Sequence, residues 1–435
     1  MTSQEILKPT LSTERINSID IIRGVALLGI LLMNITGFGL YKAYDNPTNS
    51  GGATGLNLSV WWINSMFFEG TFRGMFSMLF GAGIFLFTSR LSENNRGSAV
   101  TDIFFRRLLW LFLFGVIHCY LLLWDGEILY SYAIVGMFAF SFRHLKPKQL
   151  MIWATAILLI ATALNVEDYY QTKNTFETAT AANIKKSKSE TLSKVESKSI
   201  EEWDDLVEND NATPEQLKDE IAARNKGYFS IVMHKAPENQ IMQTTFLYLY
   251  DFWDILAMML LGMAFLKTGI LKAAKSNRFY LIMALIGYVI GLATNYFETT
   301  QIISNNFSIL SIYKAFNTYH LGRVFTTFGH IAVIVLFIKS GGLPFLQKSL
   351  AAVGQMAFTN YIMHTIICIT IFMGFGFAMY GKLQRYELYY IVFSIWIFQL
   401  IVSPIWLRYF RFGPLEWMWR SFTYWKRQPF RKTRN

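Results

Sequence analysis

Stretches of about twenty predominantly apolar residues recur along this chain, at 19–40, 71–89, 105–124, 127–143, 148–166, 245–267, 279–297, 319–339, 353–376 and 387–407. That is the length a helix needs to cross the hydrocarbon of a bilayer. Backbone polar groups in lipid must be satisfied within the segment, so such stretches are read as helices. The fold expected is all-α, a polytopic transmembrane helical bundle of about ten spans. Composition agrees, with 53% hydrophobic and 16% charged residues, against about 25% charged in soluble domains. The first apolar run contains Arg23 and lacks a small-residue cleavage site, so it is expected to stay in the mature protein rather than act as a signal peptide. The cysteines, Cys119 and Cys368, both fall in apolar runs, which argues against a disulfide framework or a cysteine metal site.

Orientation follows from the basic residues. Segments that face the cytoplasm if the N-terminus is inside (1–18, 90–107, 143–148, 267–278, 339–348 and 408 onward) hold 23 Lys and Arg. The short opposite loops, 41–58, 124–126, 297–318 and 376–386, hold four. This imbalance predicts N-in and C-in. It also assigns the net charge of +11 to orientation in the membrane, and no nucleic-acid partner is expected.

The chain then divides into an N-terminal membrane bundle (1–166), a polar extracytoplasmic loop (167–244), a C-terminal membrane bundle (245–407) and a basic aromatic cytoplasmic tail (408–435). The segment 58–70, LSVWWINSMFFEG, is either an interfacial helix or a long start to the second span. Residues 166–243 carry ten Lys/Arg and fifteen Asp/Glu. Amphipathic helices are expected in part of this loop, one of them starting at Pro214, and disorder in part. A solvated cap or spacer is its simplest role.

Three of the forty Lys and Arg remain outside loops and span edges: Arg23, Arg73 and Arg323. Ionisable groups in a span are costly and usually face the bundle interior or a wet cavity, paired with one another. Their candidate companions are Asp20, Glu69, His118, Glu127, Asp251, Asp254, His320, His330 and His364, with Asn34, Asn295 and Asn360 as neutral polar groups. By depth, Asn34, His118, Asp254, His320 and Arg323 fall toward the outer half. Asp20 and Arg23 fall at the inner end. This predicts a polar cavity open outward and a second polar entrance inside. The plainer alternatives are interhelical hydrogen bonds for His330 and His364, snorkelling for Arg23, and a salt bridge from Asp251 or Asp254 to Arg323. For acyl transfer, His118 with Glu127 or Asp254 supplies a base and its orienting group, and Arg323 or Asn34 supplies oxyanion donors. No phosphate loop, nucleophile elbow, HExxH motif or other metal site is present in the sequence.

The segments RGVALLGILLMNI (23–35), FFEGTFRGMFSMLFGAG (67–83), GVIHCYLLLWDGEILYSYAIVG (115–136), DILAMMLLGMAF (254–265), GQMAFTNYIMHT (354–365) and FRFGPLEWMWRSFTYWKRQP (410–429) together resemble the YeiB family of bacterial membrane proteins, the DUF418 domain. The resemblance covers nearly the whole chain outside the long loop. Family members usually carry aspartate at the position of Glu127, and often glutamine at that of His364. The family is in turn similar to membrane acyltransferases that modify bacterial surface sugars and to the lysosomal enzyme that acetylates heparan glucosamine. In those enzymes a first-span arginine is followed eleven positions on by histidine or asparagine, a pattern that Arg23 and Asn34 match in its asparagine form.

The resemblance implies an enzyme of the cytoplasmic (inner) membrane that transfers an acyl group from cytoplasmic acyl-CoA, a co-substrate rather than a tightly bound cofactor, to an envelope glycan or lipid. Arg23, Asn34, Glu69 and Arg73 are then the donor or polar-path residues. His118 is the expected base oriented by Glu127, and Asp254 with Arg323 is expected to shape the acceptor pocket. The alternatives are a transporter whose buried charges form a substrate or proton path, and a non-catalytic scaffold.

Overall fold

The computed structural model describes residues 16–92 and 97–432. Among them are seventeen α-helices and no strand, apart from an isolated bridge between Phe410 and Arg431. In chain order they are α1 (Asn17–Gly39), α2 (Gly55–Ile63), α3 (Thr71–Ser92), α4 (Gly97–Tyr120), α5 (Leu129–Ala139), α6 (Pro147–Ser187), α7 (Lys194–Asp210), α8 (Pro214–Arg224) and α9 (Tyr228–Ile241). The second half holds α10 (Phe252–Lys267), α11 (Asn277–Ser304), α12 (Ile309–Phe316), α13 (Tyr319–Ser340), α14 (Pro344–Gln355), α15 (Ala357–Phe372), α16 (Leu388–Tyr409) and α17 (Pro414–Tyr424).

Every expected span falls on a helix. Seven helices are long and apolar enough to cross a membrane, or eight if α14 and α15, bent by 83° at Met356, count as one span. α4 carries Asp102, Arg106 and Arg107 in its first half, and α5 with its short continuation to Phe142 is brief. The stretch expected as one span at 353–376 is therefore the end of α14, a sharp corner and α15.

Hydrogen bonds sort the connections into two ends. At one, Ser18 bonds the Leu271 carbonyl at 2.7 Å, Lys267 the Arg143 carbonyl at 2.7 Å, Lys339 the Lys275 carbonyl at 2.6 Å and Trp419 the Arg107 carbonyl at 2.9 Å. These are the segments expected to share the basic side. At the other, Gly381 N–H bonds the Gly39 carbonyl at 2.9 Å, Asn49 the Asp210 carbonyl at 2.7 Å and Asn239 the Cys119 carbonyl at 3.1 Å. Residues 1–15, part of the basic count, lie outside the described residues.

The long loop is helical through most of its length. α6 runs on past residue 166 to Ser187, and α7 and α8 begin with capping boxes, in which the hydroxyls of Ser193 and Thr213 accept the N–H groups of Glu196 and Gln216. Pro214 opens α8 as its composition predicts.

Small residues decide which spans pair. A Cβ on Gly262 of α10 would stand 1.8 Å from the Met78 carbonyl oxygen of α3, and one on Gly81 would stand 2.0 Å from that of Met259. α11 and α13 also meet closely, with a Cβ on Gly287 2.6 Å from the Gly329 nitrogen and one on Gly291 2.5 Å from that of Thr326. Backbones that approach this far bring polar side chains on the same helices within reach of each other.

Candidate functional site

The break between α2 and α3 sets up one wall of the site. A π-turn over Asn64–Phe68 ends at Glu69, and Gly70 takes a left-handed φ of +66° before α3 starts. Segment 58–70 is therefore a long start to the second span, running with it over Gly55–Ser89, and the π-turn and Gly70 are a local irregularity within it. Only a residue without Cβ fits at 70, since an added Cβ would lie 2.5 Å from the Tyr319 hydroxyl and 2.9 Å from Arg323 Cγ. The turn aims Glu69 at Tyr319, whose hydroxyl donates to Glu69 Oε1 at 3.2 Å.

Arg323, on α13, donates to Asn295 Oδ1 at 2.8 Å and Glu298 Oε2 at 2.6 Å, both on α11. Its guanidinium lies 4.4 Å from the centre of the Tyr319 ring, and its Nε has no partner. Tyr44, Asp45, Glu69, Glu298, Tyr319 and Arg323 line a narrow cavity of about 40 Å³ at the end opposite the basic one, room for roughly three waters. Asp45 stands exposed at its mouth. Burial around the carboxyl, together with the charges of Glu69 and Asp210, pushes its pKa up to about 7 against the opposing pull of Arg323. The water that reaches it damps the shift and keeps its sign.

Next to this cavity lies a second cluster. Arg73 on α3 pairs with Asp251 and, at 3.2 Å, with Asp254, and Asp254 Oδ1 is 3.5 Å from His320 Nδ1. The expected partnership of Asp254 or Asp251 with Arg323 does not form. The glycine contacts give the reason, because α10 is drawn onto α3 and its acids meet Arg73, whereas α13 is drawn onto α11 and its arginine meets Glu298. Glu298 and Asp45 lie outside the expected spans, in the segments 297–318 and 41–58 that read as loops. α11 runs seven residues past the expected end of its span, which carries Glu298 into the bundle wall.

His118 and Glu127 do come together, with Nδ1 and Oε1 3.5 Å apart. His118 is fully buried, and its Nε2 lies 2.7 Å from the Thr365 hydroxyl of α15. Glu127 accepts the N–H groups of Leu129 and, at 2.8 Å, Tyr130, which start α5. This pair joins three helices and does not line the cavity. His330 and His364 make interhelical bonds, to the Phe67 carbonyl and Tyr288 hydroxyl in the first case and to Gln399 in the second.

Arg23 stays at the basic end, 3.0 Å from Asp20 and 3.4 Å from the Gly354 carbonyl, with 29% of its side chain exposed. Asn34 is half-buried eleven residues on. Between them α1 presents the fully buried Leu27 and Leu31 to the core. Arg23 and Asn34 are thus two separate polar positions on one helix, not steps of a continuous polar path. Among the described residues no group of three or more His, Cys, Asp or Glu is placed to hold a metal ion.

The fold and site define an α-helical polytopic membrane protein with an acid-rich cavity at the end away from its basic loops. The family model described as "Protein of unknown function (DUF418)" matches residues 265–426. The uncharacterized protein YeiB of Escherichia coli (strain K12) is 30% identical over 420 residues, covering 94% of this chain and 96% of its own. The uncharacterized protein YxaH of Bacillus subtilis (strain 168) is 28% identical over 435 residues, covering 98% of each. An uncharacterized 39.9 kDa protein of Bacillus acidopullulyticus is 25% identical over 423 residues, 97% of this chain and 98% of its own. No solved structure matches. The chain belongs to the YeiB family of DUF418 proteins.

Proposed function

We propose that this chain is an acyltransferase of the bacterial cytoplasmic membrane whose acid–base site is the cavity at Asp45, not His118. The observation that carries the reading is an exposed carboxyl with a pKa raised toward neutrality, in one cavity with a guanidinium and a tyrosine hydroxyl. A base tuned near the working pH and donors aimed at one space are the parts acyl transfer needs. Asp45 takes the proton from a hydroxyl or amine of an envelope glycan or lipid, and the freed lone pair attacks the carbonyl of a thioester acyl donor presented at this outer end of the bundle. Arg323 and Tyr319 stabilise the oxyanion. The carbon–sulfur bond then breaks, and the leaving thiolate takes the proton back from Asp45.

His118 is unsuited to the role of base, since both ring nitrogens are engaged and no solvent reaches it. A through-membrane path for an ion or substrate has less support, because the polar clusters of Arg73 and Arg323 stop short of the basic end. A scaffold with every charge paired does not account for three carboxylates around one arginine.

Asp45→Asn is expected to lower transfer to envelope material by about a hundredfold or more, with membrane insertion unchanged. Mass spectrometry of envelope glycans and lipids, with and without the gene, measures it as the loss of one acyl mass. In the native protein, transfer should rise with pH as Asp45 deprotonates, with a midpoint above the usual carboxylate range. Full activity in Asp45→Asn would remove this cavity from the mechanism.

A further inference from the structure

α9 is held on two of its sides and bare on the third. Toward the bundle it buries Ile231, Lys235 and Asn239, each four residues after the last. Lys235 Nζ lies 3.3 Å from Asp125, and Asn239 donates to the Cys119 carbonyl at 3.1 Å. Toward α8 it turns His234, whose Nε2 is 2.8 Å from Glu220, and Glu238, 4.0 Å from Arg224. Phe229 and Met233, one turn apart, face neither neighbour and are 81% and 73% exposed. At about 100° per residue, His234 and Glu238 stand roughly 140° and 180° round the helix from Phe229. The helix thus has a bundle side, a polar side under the cap and an apolar side with nothing on it.

The apolar side continues onto the connection between α15 and α16. The Tyr228 ring stands 5.4 Å from that of Phe229 and 5.6 Å from that of Phe375, and Phe377 is 72% exposed. Its partners fix the level of this patch. Tyr228 donates its hydroxyl to the Leu121 carbonyl at 2.7 Å, and Gly374 N–H donates to the Arg224 carbonyl at 2.8 Å. Leu121 directly follows α4 and Gly374 follows α15, at the outer ends of both helices. From Tyr228 a single helical run of 40 residues leads to Lys267, entering the bundle as α10. On the way, over Met242–Asp251, it exposes Phe246, Tyr248, Leu249 and Tyr250. Aromatic side chains gathered at the ends of spans are those of a membrane–water interface. The charges beside the patch are already paired within the chain, so a protein partner would find few free groups for a polar rim, whereas acyl chains need none.

We propose that α9 is an interfacial helix whose Phe229 and Met233 face, together with Phe375 and Phe377, lies in the outer leaflet of the bilayer. The boundary between cap and membrane then falls near Gly227 and not at the start of α10, and α8 is tethered to the leaflet through α9. The inference stands apart from the transfer reading and does not use Asp45.

The test places one cysteine at a time in the full-length protein, as Phe229→Cys, Met233→Cys or Glu238→Cys, labels it with a polarity-sensitive fluorophore and reconstitutes the protein in phosphatidylcholine nanodiscs. Some discs carry lipids with a nitroxide at one of two depths, and aqueous iodide serves as the opposing quencher. The labels at 229 and 233 are expected to emit at shorter wavelength than the label at 238, to resist iodide, and to report a depth of about 5–10 Å below the headgroups. The label at 238 should be quenched by iodide and spared by the nitroxides. If the label at either 229 or 233, in a protein that melts as wild type does, is quenched by iodide as strongly as that at 238, the proposal is overturned. Short-wavelength emission that lipid nitroxides do not quench, with Met233→Cys forming disulfide-linked dimers, would also overturn it and assign the face to a second copy of the chain.

Discussion

Arg323 and Glu298 show how a charge is tolerated inside this bundle. Each is almost wholly buried, and the pair is closed by Asn295 and the Thr318 hydroxyl. Removing one partner leaves the other charge without compensation, which costs about 3–5 kcal/mol where the site is dry. Glu298→Gln and Arg323→Gln should each lower the melting temperature of the purified protein sharply, and replacing both with apolar residues should recover much of the loss. Equal melting of Glu298→Gln and wild type would mean that water reaches the pair freely. Asp45 sets a different dependence. Its pKa is raised in the folded state, so the folded protein holds a proton that the unfolded chain has released between roughly pH 4 and 7. The stability associated with Asp45 is therefore greatest below pH 4 and is lost as pH rises through 7. Asp45→Asn should flatten that part of the pH–stability profile, with the amplitude reduced by the exposure of the carboxyl. Depth along a span was legible from the sequence at these positions, and Arg73, Arg323, His118 and Glu127 all proved buried or half-buried and paired. The choice of partner was not, because it depends on which helices touch.

At the scale of elements, that choice rests on glycine. The Gly262 and Gly81 contacts bring α10 against α3 so closely that a methyl group at 262 overlaps the Met78 carbonyl. Gly262→Ala is expected to cost about 1–3 kcal/mol by overpacking and to separate Arg73 from Asp254. A melting curve combined with crosslinking between cysteines placed on α3 and α10 reports both effects, and unchanged melting with unchanged crosslinking would show that the helices do not meet at these glycines. Apolar stretches gave the helices and the hydropathy pattern gave their approximate ends. The bend at Met356 was hidden because no proline marks it, Gly354 just before it serves the close approach of α14 to the Asp20 carbonyl of α1, and α14 and α15 read as one apolar stretch. The break at Glu69–Gly70 did carry a signal in its glycine, but the aromatic residues around it favoured continuity.

For the whole molecule, the two ends defined by hydrogen bonds match the division of basic residues. A cysteine introduced at Lys272 should react with a membrane-impermeant thiol reagent only from the cytoplasmic side, and one at Asp205 only from the outside. Cys119 and Cys368 are buried and contribute little background. Labelling of both from one side would refute the arrangement. The fold class was legible from length and hydropathy alone. The helical cap was only partly so, because its polar helices are set by capping boxes and not by apolar runs.

α6 is 41 residues long, about 62 Å at 1.5 Å per residue and roughly twice the thickness of the hydrocarbon. Its membrane half packs on α10 and its outer half on α7, with no break between them. One unbroken hydrogen-bonded rod therefore ties the cap to the bundle, so the position of α7 outside the membrane is set by the same helix that packs on α10 within it.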